Sequence, residues 1–405
     1  MPDTNKITAC RVCGHDFYNK PLLQYKNMPK AAQFLPDANS LKSEKGIDLD
    51  VCMCSGCGLI QLNSEPVSYY KEVVRAAAFS EEMRGFREKQ FDTFVKKYQL
   101  NSKSSSNSSN PQGKKIIEIG CGAGEYLSIM QKLDTHAYGL EYSEELIKKC
   151  KASGLNVVRG FIETANYKID HAPFAAFYML NFLEHLPNPN ATLTGIRNNL
   201  SEEGIGLVEV PNFDMILRKK IFSEFICDHL FYFTKESLST LLKLNGFEII
   251  ECSEVWHDYI ISATVKKKER LDISHFYNYQ TKIEREINDY IHRFKEKRVA
   301  IWGAGHQALA IISLVNLSNK IKYVVDSAPF KQGKFTPATH IPIVSPEVFY
   351  KDAVNGINGV NDVDSIEAII IMAASYSDEV AKIIRGKFDS NVSVSILRDF
   401  GLEMV

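Results

Sequence analysis

The pattern of apolar and polar positions changes period several times along the chain. From about Ser68 to Leu100 apolar residues recur every three or four positions, with Val73, Val74, Phe79, Met83, Phe86, Phe91, Phe94 and Val95 forming one stripe, which predicts a helical arm. The next stretch, SKSSSNSSNPQG from Ser102 to Gly113, offers nothing that packs a core and reads as a flexible linker. Short apolar runs then alternate with amphipathic ones. KKIIEIG, HAYGLEYS, LNVVRG, FAAFYMLNF and GIGLVEVP read as strands, with helices EYLSIMQKL, EELIKKCKASG and TLTGIRNNL between them. That alternation predicts an α/β fold with a doubly wound parallel sheet covered on both faces. A helix TKESLSTLLKLNGF, started by Thr234 and stopped at Gly246, precedes FEIIECSEV and YIISATVKK, whose short connection suits an antiparallel hairpin. A long polar helix from Phe276 to Lys297 leads into a second alternating run, RVAIWGAG, ALAIISLVNL, IKYVVD, AIIIMAAS, DEVAKIIRGKF and VSVSIL, which predicts a smaller Rossmann-like unit.

Charge and composition narrow the function classes. The 405 residues carry 48 basic and 49 acidic side chains, a formal charge of −1, so no basic footprint for nucleic acid or anionic membrane is present and small molecules are the expected partners. The polar N-terminus MPDTNKITAC has no apolar leader, and no run reaches the ~18 apolar residues of a membrane-spanning helix. A cytoplasmic location is the default expectation.

Nine cysteines are an odd number for a disulfide framework, and their spacing points to a metal. Cys10 and Cys13 form one Cys-x-x-Cys turn and Cys54 and Cys57 a second, the pattern of two knuckles sharing one tetrahedral Zn2+. A closed set of four thiolates is structural. Cys52 is expected to stand outside it, because a ligand two residues before Cys54 would strain the knuckle.

In IIEIGCGAGEYL a strand runs into a turn where Gly120, Gly122 and Gly124 leave the backbone bare for close approach of a ligand at a helix N-terminus. Glu141 ends the next strand, 21 residues after Gly120, where a carboxylate accepts hydrogen bonds from ribose hydroxyls. A dinucleotide is the competing ligand for such a turn. With Glu118 ahead of it, the motif resembles the signature of class I S-adenosylmethionine-dependent methyltransferases. That resemblance implies that Glu118 helps position the methionine end, that Phe161 lies beside the adenine and that Asn181 faces the cofactor. Downstream, LNFLEHLPNP holds Glu184 and His185, and FICDHLFYFT holds Asp228 and His229, an imidazole next to a carboxylate and suited to removing a proton near neutral pH.

The four-cysteine segment ending CGLIQL, the methyltransferase centre, DHLFYFT and the C-terminal YVVDSAPFKQGKFTPATHIPI together resemble the C-methyltransferases of nucleotide-linked keto-deoxy sugars, over nearly the whole chain. The resemblance implies S-adenosylmethionine as methyl donor, a nucleotide-diphosphate sugar as substrate, and proton abstraction at C3 of a 4-keto-6-deoxy sugar by a histidine in a Tyr-His-Glu-His-Leu phrase. His229 matches that histidine, with Asp228 expected to orient it and His185 to assist. Asp228 stands in place of glutamate, Cys227 in place of the first histidine and Ile226 in place of tyrosine. The tyrosine expected in the segment after the metal site has no counterpart in pattern, with Tyr69 and Tyr70 lying upstream of it. Losing phenols removes donors for an enolate, so O-methylation of a nucleotide sugar, or a catalytically degenerate cofactor-binding protein, stands as the alternative.

The implied organisation is a zinc-binding segment at 1–66, a helical arm at 67–101, a linker at 102–113, a methyltransferase core at 114–270 and a Rossmann-like domain at 271–405. In the last of these GAGHQA, with Asp326 after the next strand, invites a nicotinamide reading, while the resemblance implies an architectural role that includes closing over the nucleotide end of the substrate. His306, Lys331, His340 and Ser375 are polar positions along its edge.

Overall fold

A computed structural model describes residues 6–33, 35–72, 80–101, 114–357, 365–388 and 391–405. It divides into two compact units, Met1–Arg270 and Leu271–Val405.

The first unit is built on a seven-stranded sheet of β4 (Lys115–Ile119), β5 (His136–Glu141), β6 (Val157–Arg159), β7 (Phe174–Leu180), β8 (Leu200–Pro211), β10 (Phe247–Val255) and β11 (Ile260–Lys267). Their spatial order is β10-β11-β8-β7-β4-β5-β6, with β4 to β8 parallel and the β10–β11 hairpin antiparallel. This is the class I methyltransferase topology. Side chains alternate across each strand, so one strand feeds two cores: Ile117, Ile119, Phe177 and Met179 pack on one face, Ile116, Ala176 and Tyr178 on the other. Helices α2 (Glu125–Lys132), α3 (Glu144–Ala152), α4 (Pro189–Asn198) and α6 (Lys235–Leu244) accompany the strands, and a short α5 (Phe213–Lys219) follows β8. Thr234 caps α6 as its sequence suggests, its side chain accepting the Ser237 N–H.

The arm differs from its prediction. A helix α1 spans Glu81–Lys97 only, residues 68–72 form turns, and Val73, Val74 and Phe79 lie outside the described residues, as does the whole of 102–113. Ser80 supplies the reason for the late start, since its side chain accepts the Met83 N–H and caps the helix there. Phe91, Phe94 and Val95 pack on the sheet, and buried Arg87 pairs with buried Glu209 of β8.

Ahead of α1, β1 (Leu23–Met28), β2 (Ile47–Met53) and β3 (Ile60–Leu62) form a small sheet completed by β9 (Phe231–Tyr232), a strand far along the chain. Ile60 pairs with Tyr232, Gln61 with Phe231, and the Leu62 N–H donates to the Leu230 carbonyl at 2.9 Å. The cysteine segment is therefore knitted to the residues just after His229.

The second unit has a six-stranded sheet in the order β14-β13-β12-β15-β16-β17, from β12 (Val299–Trp302), β13 (Val324–Val325), β14 (Ile343–Val344), β15 (Ala368–Ile371), β16 (Ser393–Leu397) and an antiparallel edge strand β17 (Leu402–Met404). Val299 and Ile301 face one core, Ala300 and Trp302 the other. Helices α7 (Ser274–Ile291), α8 (His306–Leu314), α9 (Pro346–Ile357) and α10 (Ser377–Phe388) complete it.

Candidate functional site

A cavity of about 450 Å³ opens at the carboxyl ends of β4, β5 and β7, where parallel sheets place their ligands. Its floor is the glycine turn. Gly122 has φ +57° and open space where a Cβ would stand, so the backbone is bare toward the cavity. The turn is held by Glu141, whose carboxylate accepts the N–H groups of Gly122, Tyr142 and Ser143 at 2.8–2.9 Å. Burial outweighs those donors and raises the Glu141 pKa. Gly120, Phe161 and Asn181 also line the cavity. Phe161 stands edge-on to Tyr142 and Phe182, an aromatic frame of the kind a flat base slides into.

Two residues expected at the cofactor do not line the cavity. Glu118 is buried and accepts from the Tyr178 hydroxyl at 3.1 Å, because on β4 it points into the opposite core from Ile117 and Ile119; it does not line the cavity. Gly124 caps α2 at φ +86°, and a Cβ there would come within 2.4 Å of Leu155, so its smallness serves packing.

Opposite the glycine turn stand Glu184, His185, Asp228 and His229, all cavity-lining. Glu184 and His185 lie in the 3-10 turn Leu183–His185 that follows β7, and Asp228 lies in a turn before β9. The His185 Nδ1 is 2.8 Å from the Asp228 backbone carbonyl, which only accepts, so Nδ1 carries the hydrogen and Nε2 the lone pair. The rings of His185 and His229 meet edge to face at 4.8 Å. Burial pushes the His229 imidazole down to about 3, His185 adding to the effect, and burial also lowers His185. Burial pushes the Glu184 carboxyl up to about 8.

The expected Asp228–His229 orientation is corrected by the geometry. The Asp228 carboxylate accepts from the Tyr69 hydroxyl at 3.0 and 2.9 Å and from the Ala32 N–H at 3.3 Å, and among the described residues it makes no hydrogen bond to the His229 ring. Asp228 braces His185 through its peptide instead. Tyr69 thus reaches the site although no periodicity marked it. Cys227 donates to the Lys30 carbonyl at 3.1 Å, and Ile226 brings an alkyl group to the cavity. Lys71, which carries no sequence signal, lines the cavity, bonds Glu163 at 2.5 Å and stands 5.4 Å from the centres of the Tyr142 and Phe161 rings. Both residues sit in a turn, where neither pattern nor motif signals a role.

Cys10, Cys13, Cys54 and Cys57 converge, with Cys13 and Cys54 sulfurs 3.3 Å apart and Cys10 and Cys57 sulfurs 3.7 Å apart. An ion bound at about 2.3 Å to four sulfurs sets them ~3.8 Å apart, so the donor set fits a tetrahedral thiophilic metal after slight adjustment. N–H groups of Val12, Gly56 and Cys57 and the Gln61 amide point at the sulfurs, as donors to thiolates do. Cys52 stays apart as a thiol, pushed by burial up to about 11.

In the second unit the Asp326 carboxylate is already engaged by the N–H groups of Ala304 and Ala328 and by Lys331, at 2.8–2.9 Å. Asp326 thus holds its turn much as Glu141 holds the glycine turn of the first unit, with the Lys331 ammonium paired to it in addition. His306, His340 and Ser375 are exposed.

Residues 84–252 match the methyltransferase domain family, and residues 262–355 match the C-methyltransferase C-terminal domain. The chain is 24% identical over 377 residues to the C-methyltransferase NovU of Streptomyces niveus, covering 84% of this chain and 86% of that protein. It is 31% identical over 98 residues to a ubiquinone biosynthesis O-methyltransferase of Methylococcus capsulatus, covering 23% of this chain and 40% of that one. Among solved structures, an S-adenosylmethionine-dependent methyltransferase from Clostridium acetobutylicum aligns over 49% of this chain and 96% of its own at 12% identity, with a TM-score of 0.37. No helix among the described residues is long and apolar enough to cross a membrane.

Proposed function

Because residues 84–252 match the methyltransferase domain family and residues 262–355 the C-methyltransferase C-terminal domain, we propose that the chain methylates carbon 3 of a nucleotide-linked 4-keto-6-deoxy sugar through an enolate. One observation carries this reading: His229, with a ring free of hydrogen bonds to described side chains, lines the same cavity as the bare glycine turn and Glu141. Gly120, Gly122, Glu141, Phe161 and Asn181 would hold S-adenosylmethionine, which supplies an activated methyl group on sulfur.

The remaining work falls to the chain's own residues. A ketone at C4 acidifies the C3 proton, and the neutral His229 ring offers the lone pair that takes it. Its burial makes it a weak base at rest. The nascent enolate offsets that by pairing with the imidazolium as both form, in a cavity where opposite charges attract more strongly than in water. His185, braced by the Asp228 carbonyl, fixes the face His229 presents. The cysteine cluster would hold a structural Zn2+, and through the pairing of β3 with β9 it sets the position of the segment after His229.

O-methylation on the same scaffold is favoured by one feature, the alkyl side chain of Ile226 where the resembled enzymes carry a phenol. Product analysis by NMR over a panel of nucleotide 4-keto sugars separates the two, since a new carbon-bound methyl at C3 supports the proposal and a methoxy signal refutes it.

A further inference from the structure

One group of side chains in the first unit has chemistry that exceeds proton transfer. Glu184, His185 and His229 bring one ligand atom each to within 4.8 Å of one another, at the wall of the cavity. Glu184 is 1% exposed and its Oε2 has no hydrogen-bond partner, an arrangement a buried carboxyl keeps only where something else meets it. The His185 Nε2 is 4.0 Å from Glu184 Oε1 and bears the lone pair, because Nδ1–H is spent on the Asp228 carbonyl. A backbone carbonyl on the far nitrogen is what orients metal-bound imidazoles. Behind it, Tyr69 and Ala32 hold Asp228 in place.

We propose that Glu184, His185 and His229 bind a divalent transition-metal ion of the Zn2+ or Co2+ class, distinct from the ion of the four cysteines. Two imidazoles and a carboxylate are a donor set such ions favour, and three protein ligands leave coordination positions open toward the cavity. Metal–nitrogen and metal–oxygen bonds of about 2.0–2.2 Å require the three atoms to draw together from their present spacing. The ion takes the His229 lone pair. Given the function proposed above, in which His229 is the base, the ion-loaded protein is the silent form, and metal availability controls turnover.

Co2+ is the probe. The full chain is freed of metal with a chelator, dialysed against Co2+, and its bound cobalt counted by atomic absorption beside the ultraviolet thiolate-to-cobalt band that reports the cysteine cluster. Wild type is expected to hold two ions per chain. Glu184→Gln is expected to keep the thiolate band, which shows that the unit is folded, and to bind the second ion at least tenfold more weakly. One ion in wild type, or an unchanged second ion in Glu184→Gln, overturns the site. In a second arm, exchange of the sugar C3 proton with heavy water is followed during the titration. Exchange that falls as the second ion enters supports the silencing role. A second ion that enters without slowing exchange leaves the metal site standing and removes His229 as the base.

Discussion

Replacing Tyr69 by phenylalanine tests how the site is held. The phenol donates to both oxygens of Asp228 at 3.0 and 2.9 Å, and Asp228 is 3% exposed. Without it the carboxylate keeps the Ala32 N–H at 3.3 Å. A hydrogen bond to a charged group contributes about 1.5–3 kcal/mol, which lowers the unfolding temperature of a unit of this size by about 5 °C. The loosened Asp228 no longer fixes the carbonyl that orients His185, and His185 packs against His229. The expected kinetic result is a roughly tenfold fall in kcat, equivalent to about 1.4 kcal/mol, with the KM for S-adenosylmethionine unchanged because Tyr69 does not line the cavity. Thermal unfolding and steady-state kinetics read the two effects. A Tyr69→Phe protein with wild-type stability and wild-type kcat would refute the chain of contacts from Tyr69 through Asp228 to the imidazoles.

Gly124→Ala forces a left-handed alanine and places its Cβ 2.4 Å from Leu155 and 3.0 Å from the Cys150 sulfur; the expected cost, about 2–4 kcal/mol, is checked by denaturant unfolding. Cys13→Ser removes one thiolate without touching Glu184, His185 or His229, and is expected to lower unfolding temperature and kcat together, since the cysteine segment pairs with β9; a kcat that survives the loss of the ion would count against that link. Burial alone would raise Asp326, but Lys331 and the N–H groups of Ala328 and Ala304 hold it below its ordinary range. Its folded pKa is thus depressed, so its contribution is present above the unfolded value of about 4 and is lost as pH falls through the folded one. The melting temperature of the second unit should drop in acid, and Asp326→Asn should flatten that drop.

Much of the architecture is legible in the sequence because parallel strands buried on both faces leave continuous apolar runs, as in IIEI and FAAFYML, and their alternation with amphipathic helices admits few topologies. The doubled Cys-x-x-Cys spacing and the glycine turn carry local chemistry and so are read locally. The site's connections are not local. Tyr69 meets Asp228 across 159 residues of chain, and Lys71 reaches the cavity from the same irregular turn. Adjacency also misleads: Asp228 and His229 are neighbours in sequence, yet one side chain turns back to Tyr69 and Ala32 while the other faces His185. Glu118 lies off the cavity because one step along a strand moves a side chain to the opposite face.

Proton abstraction by His229 is measured most directly by following C3 hydrogen–deuterium exchange of nucleotide-linked 4-keto-6-deoxy sugars by NMR, with wild type and His229→Ala. General-base catalysis contributes about 10²–10⁴-fold; wild type should exchange the C3 proton with solvent and His229→Ala should lose that factor. Equal exchange in both proteins, or none in wild type alongside a methoxy product, would contradict the account.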